Sequence, residues 1–178
     1  MPNWCDNTLS VTHEDPKMIN RLVGAFKEGR LCDEFVPVPA ELKDTTANGT
    51  VREALVEKTG YSDWYDFCVN EWGTKWDVGG EHNYVESDDN SATLSFESAW
   101  APPVGLYTKL EDLGFTVRAM YYEPGMGFAG VYEDGYDETY DMSGSADEVK
   151  EQIPEDLDDA FGITEGMREW EEENDDSV

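Results

Sequence analysis

Apolar and polar residues alternate through Thr8-Leu9-Ser10-Val11-Thr12, which places Leu9 and Val11 on one face of a predicted strand. The period then lengthens. Ile19, Leu22, Val23 and Phe26 recur at three- and four-residue spacing, with Asp15 placed to cap the helix, Pro16 suited to its first position and Gly29 to its end. Residues 31–49 hold Phe35-Val36-Pro37-Val38-Pro39 and Asn48-Gly49, where prolines remove backbone donors, so an irregular insertion loop is expected. Thr50-Val51-Arg52-Glu53 reads as a capping box for a short helix closed by Gly60. Tyr61, Trp64, Tyr65, Cys68, Val69 and Trp72 then form an aromatic stripe at helical spacing, capped by Ser62 and ended by Gly73.

Period two returns in Thr74–Val78 and, after a polar loop at Ser87-Asp88-Asp89-Asn90, in Ala92–Phe96. Pro102-Pro103 introduces a helix with Val104, Tyr107, Leu110 and Leu113 inward and Gly114 as its stop, and Thr116–Tyr122 follows as a strand. The order strand, helix, strand, strand, helix, strand is the split βαβ pattern, so an α+β domain with a ferredoxin-like core is expected. Phe128–Tyr132 and Tyr136–Tyr140, joined by Asp134-Gly135, predict an added hairpin. Residues 1–142 therefore read as one domain with a loop and helix insertion at 31–73. Residues 143–178 read as an acidic helical extension, opened by a second capping box at Ser145 and Glu148 and ending in a disordered tail.

Composition changes this picture mainly through charge. The 178 residues carry 41 Asp and Glu against 12 Lys and Arg, a formal net charge of −29. Such a surface repels nucleic acid and anionic membranes, because without a basic patch it cannot displace their counterions, and it favours a basic partner, high salt or simple solubility. Six Trp, nine Tyr and seven Phe supply large side chains for a core, so the charge does not imply disorder. The start, MPNWCDNTLS, has neither the basic region nor the apolar stretch of a secretory signal, and no long apolar run occurs, which points to the cytoplasm. Cys5, Cys32 and Cys68 are odd in number and match no zinc or redox spacing, so free, buried thiols are expected.

Five segments together resemble one family. They are Pro2-Asn3-Trp4-Cys5-Asp6-Asn7, Phe35-Val36-Pro37-Val38-Pro39, Trp72-Gly73-Thr74-Lys75-Trp76-Asp77, Phe96-Glu97-Ser98-Ala99-Trp100-Ala101-Pro102-Pro103 and Tyr122-Glu123-Pro124-Gly125-Met126-Gly127-Phe128-Ala129-Gly130. In this order they resemble the YubB-like proteins of phages and plasmids, which carry a ferredoxin-like domain. The resemblance spans roughly residues 2–130, and its most specific piece is the six-residue run with two tryptophans. It implies a ferredoxin-like fold, a mobile-element origin and a host cytoplasm. No activity comes with it, and the acidic segment after about residue 133 departs from the family pattern.

Candidate chemistry is sparse. Trp64, Trp72, Trp76 and Trp100, with Lys75 between two of them, could form an aromatic pocket for a cation or planar group; core packing is the plainer reading, with Lys75 on the solvent side of a strand opposite Trp76. Asn3, Trp4, Asp6 and Asn7 could bind a ligand but read first as turn and strand-entry residues. Glu123-Pro124-Gly125-Met126-Gly127 reads as a turn, lacking the helix and lysine of a phosphate loop. Asp134, Asp137, Glu138 and Asp141 lack EF-hand spacing and read as a solvated acidic face which, with Asp158 and Asp159, could meet a basic partner. His13 and His82 lie far from any cysteine and in no nucleophile motif, so no catalytic residue, metal ligand or cofactor is expected; paired carboxylates could still do acid–base work without a sequence signature.

The leading expectation is thus a non-enzymatic acidic interaction protein of a phage or mobile element that binds a basic, nucleic-acid-handling host protein, in its sharpest form as a DNA mimic. The alternatives are a small-molecule-binding or modifying domain that uses the Trp-rich region, and a salt-adapted protein whose charge has no specific partner.

Overall fold

A computed structural model describes residues 2–175 of the chain. The elements are β1 (Trp4–Thr12), α1 (Pro16–Lys27), α2 (Leu31–Phe35), α3 (Ala40–Lys43), α4 (Glu53–Thr59), α5 (Trp64–Glu71), β2 (Tyr84–Ser87), β3 (Ser91–Ala99), α6 (Val104–Asp112), β4 (Thr116–Glu123), β5 (Phe128–Glu133), β6 (Tyr136–Asp141), α7 (Ala146–Gln152), α8 (Glu155–Phe161) and α9 (Ile163–Asp175). The strands form one antiparallel sheet in the order β2-β3-β1-β4-β5-β6. The protein is therefore a mixed α/β fold built on a six-stranded antiparallel sheet.

Both faces of this sheet are used, and the strand alternation shows how. On one face Leu9, Val11, Leu94, Phe96, Val117, Ala119 and Tyr132 meet Ile19, Leu22 and Phe26 of α1 and Leu106, Tyr107 and Leu110 of α6 in the main core. On the other face Met120, Tyr122, Val131, Ala129 and Tyr140 meet Val149, Ile153, Leu157 and Ile163 of the last three helices. These helices cover the β4–β6 half only. The corresponding face of β1 and β3 presents Asp6, Ser10 and Glu97 to solvent.

Local signals account for several boundaries. Asp15 caps α1 by accepting from Lys17 N–H. Asp134 and Gly135 both take positive φ, 51° and 74°, which turns β5 into β6 with the twist a two-residue hairpin requires. Ser145 and Glu148 make a reciprocal capping box at α7.

Elsewhere the structure departs from the sequence expectations. Residues 31–49 are not wholly irregular, because α2 and α3 form within them, bounded by the prolines at 37 and 39. Thr50 does not cap α4, whose N-cap is Arg52 without a side-chain bond. Asp63 caps α5 in place of Ser62; its carboxylate accepts from Asp66 N–H at 2.9 Å.

The largest departure is at residues 74–78, which form no strand; the second strand is Tyr84–Ser87. Gly73, Gly79 and Gly80 flank this segment at φ of 89°, 107° and 111°, and Thr74 and Asp77 turn inward to bond distant backbone groups, so an alternating pattern arises in a pinned loop. The disordered tail expected at the extreme C-terminus falls largely outside the described residues.

Candidate functional site

The loop following α5 shows how this chain builds a site. Trp72 is buried, and its indole N–H donates to Val36 O at 2.7 Å. Gly73 takes a left-handed backbone, and a Cβ there would come 3.0 Å from Pro102 O. The Thr74 hydroxyl donates to Ala99 O at 2.9 Å, and Gly105 N–H donates to Trp72 O at 3.0 Å, which ties the loop to the β3–α6 connection. Asp77 accepts from Cys32 N–H at 2.7 Å, Asp33 N–H at 2.9 Å and Val78 N–H at 2.8 Å, tying the other end of the loop to the start of α2. Burial raises the Asp77 carboxyl above its ordinary value although these donors pull it down. Of the six residues in the run, only Lys75 and Trp76 have no inward role.

The same division of labour recurs in two other segments. At the chain's start Cys5 and Asn7 are buried, with Asn7 Nδ2 donating to Ser98 Oγ at 2.8 Å, while Trp4 is left 43% exposed. After β3, Ser98 Oγ donates to Ala101 O at 2.7 Å, while Trp100 is 51% exposed. Trp100 also has φ of 73°, which costs a β-carbon residue about 1–2 kcal/mol and persists only where the surroundings impose it. Its N–H donates to Asn3 O at 2.9 Å, and Trp4 pairs with Ala99 in the β1–β3 register.

The outward side chains of these three segments meet. The Trp4 and Trp76 ring centroids lie 6.0 Å apart. Lys75 Nζ stands 4.6 Å from the Trp76 ring centroid, 5.8 Å from that of Tyr65 and 5.9 Å from that of Trp100. Lys75 and Trp76 therefore lie on the same side, contrary to the strand geometry expected for them, because the loop has no pleat to separate neighbours. Trp72 belongs to the core and Trp64 packs against it. The sequence groups Trp64, Trp72, Lys75, Trp76 and Trp100 together but sets Trp4 apart from them, since only strand pairing brings residue 4 beside residue 100. Beside Trp76 lies an open depression of about 350 Å³, lined in part by Trp64, Lys75, Arg30, Lys43 and Asp33.

The carboxylate candidates divide differently. Asp137 accepts from Tyr121 OH at 2.7 Å and Asp141 from Ser143 N–H at 2.7 Å. Asp158 is structural as well, since it accepts from Thr164 N–H at 2.8 Å and the Thr164 hydroxyl at 2.6 Å and so orders the turn between α8 and α9. Asp134, Glu138 and Asp159 are exposed. Residues 133–178 hold 19 of the 41 carboxylates and two of the 12 cations. Arg168 pairs with Asp147, and Arg118 of β4 reaches Glu133 and Asp156. Among the described residues no group of three or more His, Cys, Asp or Glu converges as a metal site would require. No helix among them is long and apolar enough to cross a membrane.

Comparison with known proteins adds little to this geometry. No family model matches the chain, and comparison with curated proteins gives no match. Among solved structures, the protein api92 from Yersinia pseudotuberculosis, with the family model DUF1281, aligns over 81% of this chain and 99% of its own at 14% identity and a TM-score of 0.44.

Proposed function

We propose that the protein is a non-enzymatic interaction protein whose carboxylate-rich C-terminal layer engages a basic, nucleic-acid-handling partner of the host cell, competing where DNA phosphates would sit. The reading is carried by one observation: 17 of the 41 carboxylates lie in residues 133–174, where an ordered layer of helices and an edge strand holds them with only two cations of its own. Duplex DNA carries one charge per about 1.7 Å of axis, so a competitor for a basic groove needs dense, fixed negative charge, and a folded platform fixes it better than a free tail. The spatial order β2-β3-β1-β4, with α1 and α6 as the connecting helices, supports reading residues 4–123 as a ferredoxin-like core. That core is also what a YubB-like mobile-element protein would carry.

The test is capture from host lysate on the immobilised protein at about 0.1 M and about 1 M salt, between which the screening length falls from about 10 Å to about 3 Å. The expected result is a basic nucleic-acid-binding protein, retained at low salt, released at high salt and displaced by duplex DNA. Replacing the exposed pair Glu155 and Asp159 of α8 by Lys should weaken that retention. Capture of no basic protein, or capture indifferent to salt, overturns the reading. If molar salt instead raises the melting temperature strongly while nothing is captured, the charge serves salt adaptation.

A further inference from the structure

We propose that Trp76 and Trp100, which face Lys75, together with Trp4 beside Trp76, form a binding site for a planar aromatic molecule that carries an anionic group. The site lies outside the carboxylate-rich layer, and its test does not depend on the reading given to that layer.

Three segments far apart in sequence each spend their other conspicuous residues on structure and leave a tryptophan at the surface, at 43%, 41% and 51% exposure. Isolated exposed aromatics are ordinary, but three that converge from β1, the loop after α5 and the end of β3 make an exposed apolar platform that the fold does not need for its own core. Trp100 is held there with a strained backbone, as expected where surrounding structure fixes a side chain for use.

The charge of the ligand follows from Lys75. Seven of the twelve cations, all five arginines with Lys43 and Lys58, are engaged in ion pairs, in a chain where carboxylates exceed cations more than threefold. Lys75 has no ion pair among the described residues; its ammonium faces three rings instead. A cationic ligand would have to displace that ammonium from the ring faces, whereas an anionic one gains a charge-assisted hydrogen bond from it while its ring stacks on Trp76 or Trp100. The adjoining depression of about 350 Å³ suits one or two fused rings. Arg30 and Lys43 line it but are already paired, with Glu28 and Glu34 and with Asp33 respectively, so Lys75 is the anchor. The field of the whole molecule opposes an anion, yet it decays over about 8 Å at physiological salt, while Lys75 acts at contact.

Titration calorimetry and tryptophan fluorescence with naphthalene-2-carboxylate, its neutral amide 2-naphthamide and the cation 2-naphthylmethylammonium test this. The carboxylate should bind about ten-fold more tightly than the amide, and the ammonium more weakly than both. Lys75→Met should bring the carboxylate to the affinity of the amide and leave the amide unchanged. Trp76→Ala should weaken both ligands by about ten-fold or more, the scale of one lost stacking partner. Lys75→Met and Trp4→Ala remove partly or largely exposed side chains, so one of them serves if Trp76→Ala misfolds, and Trp4→Ala should weaken both ligands. Absence of saturable carboxylate binding overturns the proposal. Tightest binding of the ammonium, improved by Lys75→Met, overturns it in favour of a cation cage.

Discussion

Replacing Asp77 by alanine removes a side chain that hydrogen-bonds the loop bearing Lys75 and Trp76 to the start of α2. Its carboxylate accepts from three N–H groups at 2.7–2.9 Å, and two of these, on Cys32 and Asp33, have no helical carbonyl to turn to at a helix start. Hydrogen bonds to a charged acceptor are worth about 1.5–3 kcal/mol each, but the desolvation of Asp77, visible in its raised carboxyl pKa, offsets much of the sum. The part-buried donors also regain some water, so a net loss of about 2–3 kcal/mol is expected. With a urea slope of about 2.5 kcal/mol per molar for a chain of this size, the unfolding midpoint should fall by about 1 M, followed by tryptophan emission. The pH dependence supplies a second check. A carboxyl whose folded pKa is raised stabilises the fold most below its unfolded value and loses that contribution as pH rises through the folded value. Asp77→Asn does not titrate, so the advantage of the wild type over it should be largest in acid and shrink toward neutrality. An unchanged midpoint for Asp77→Ala would show that the loop is held by its other bonds, and an advantage that grows with pH would mean that the N–H donors outweigh burial.

Two further outcomes follow from the packing. Gly105→Ala should cost about 3 kcal/mol or more, or prevent folding, because the new Cβ would overlap Glu71 O and stand 2.7 Å from Glu71 C; thermal melting of the variant checks this. Cys5, Cys32 and Cys68 are buried, and burial pushes the Cys5 and Cys68 thiols up to about 12, so Ellman's reagent at pH 8 should label none of them in the native protein and all three after denaturation.

Much of the sheet and its helices is legible in the residues, since the responsible signals are local. The alternation at Leu9 and Val11, the helical spacing from Ile19 to Phe26 behind the Asp15 cap, the Asp134-Gly135 turn and the Ser145 capping box each work within a few residues. Where signals mislead, a distant partner has taken the side chain that a local motif requires. Thr74 looks like the inward half of a strand, but its hydroxyl is bound to Ala99 O. Ser62 stands in a capping position, but the adjacent Asp63 accepts the N–H that the cap must satisfy.

What the sequence determines by itself is therefore the type and order of the strongly periodic elements, and a charge imbalance that no folding can change, because carboxylates are counted and not placed. The tertiary structure alone decides which aromatics are core and which are surface. Trp72 and Trp76 are four residues apart in one run, yet one is buried with its indole N–H bonded across the molecule and the other is left outside with Lys75 over its ring. Pairing of Trp4 with Ala99, 95 residues further on, then carries Trp4 to the same place beside Trp76, a proximity that hydrogen-bond register creates and residue spacing does not encode.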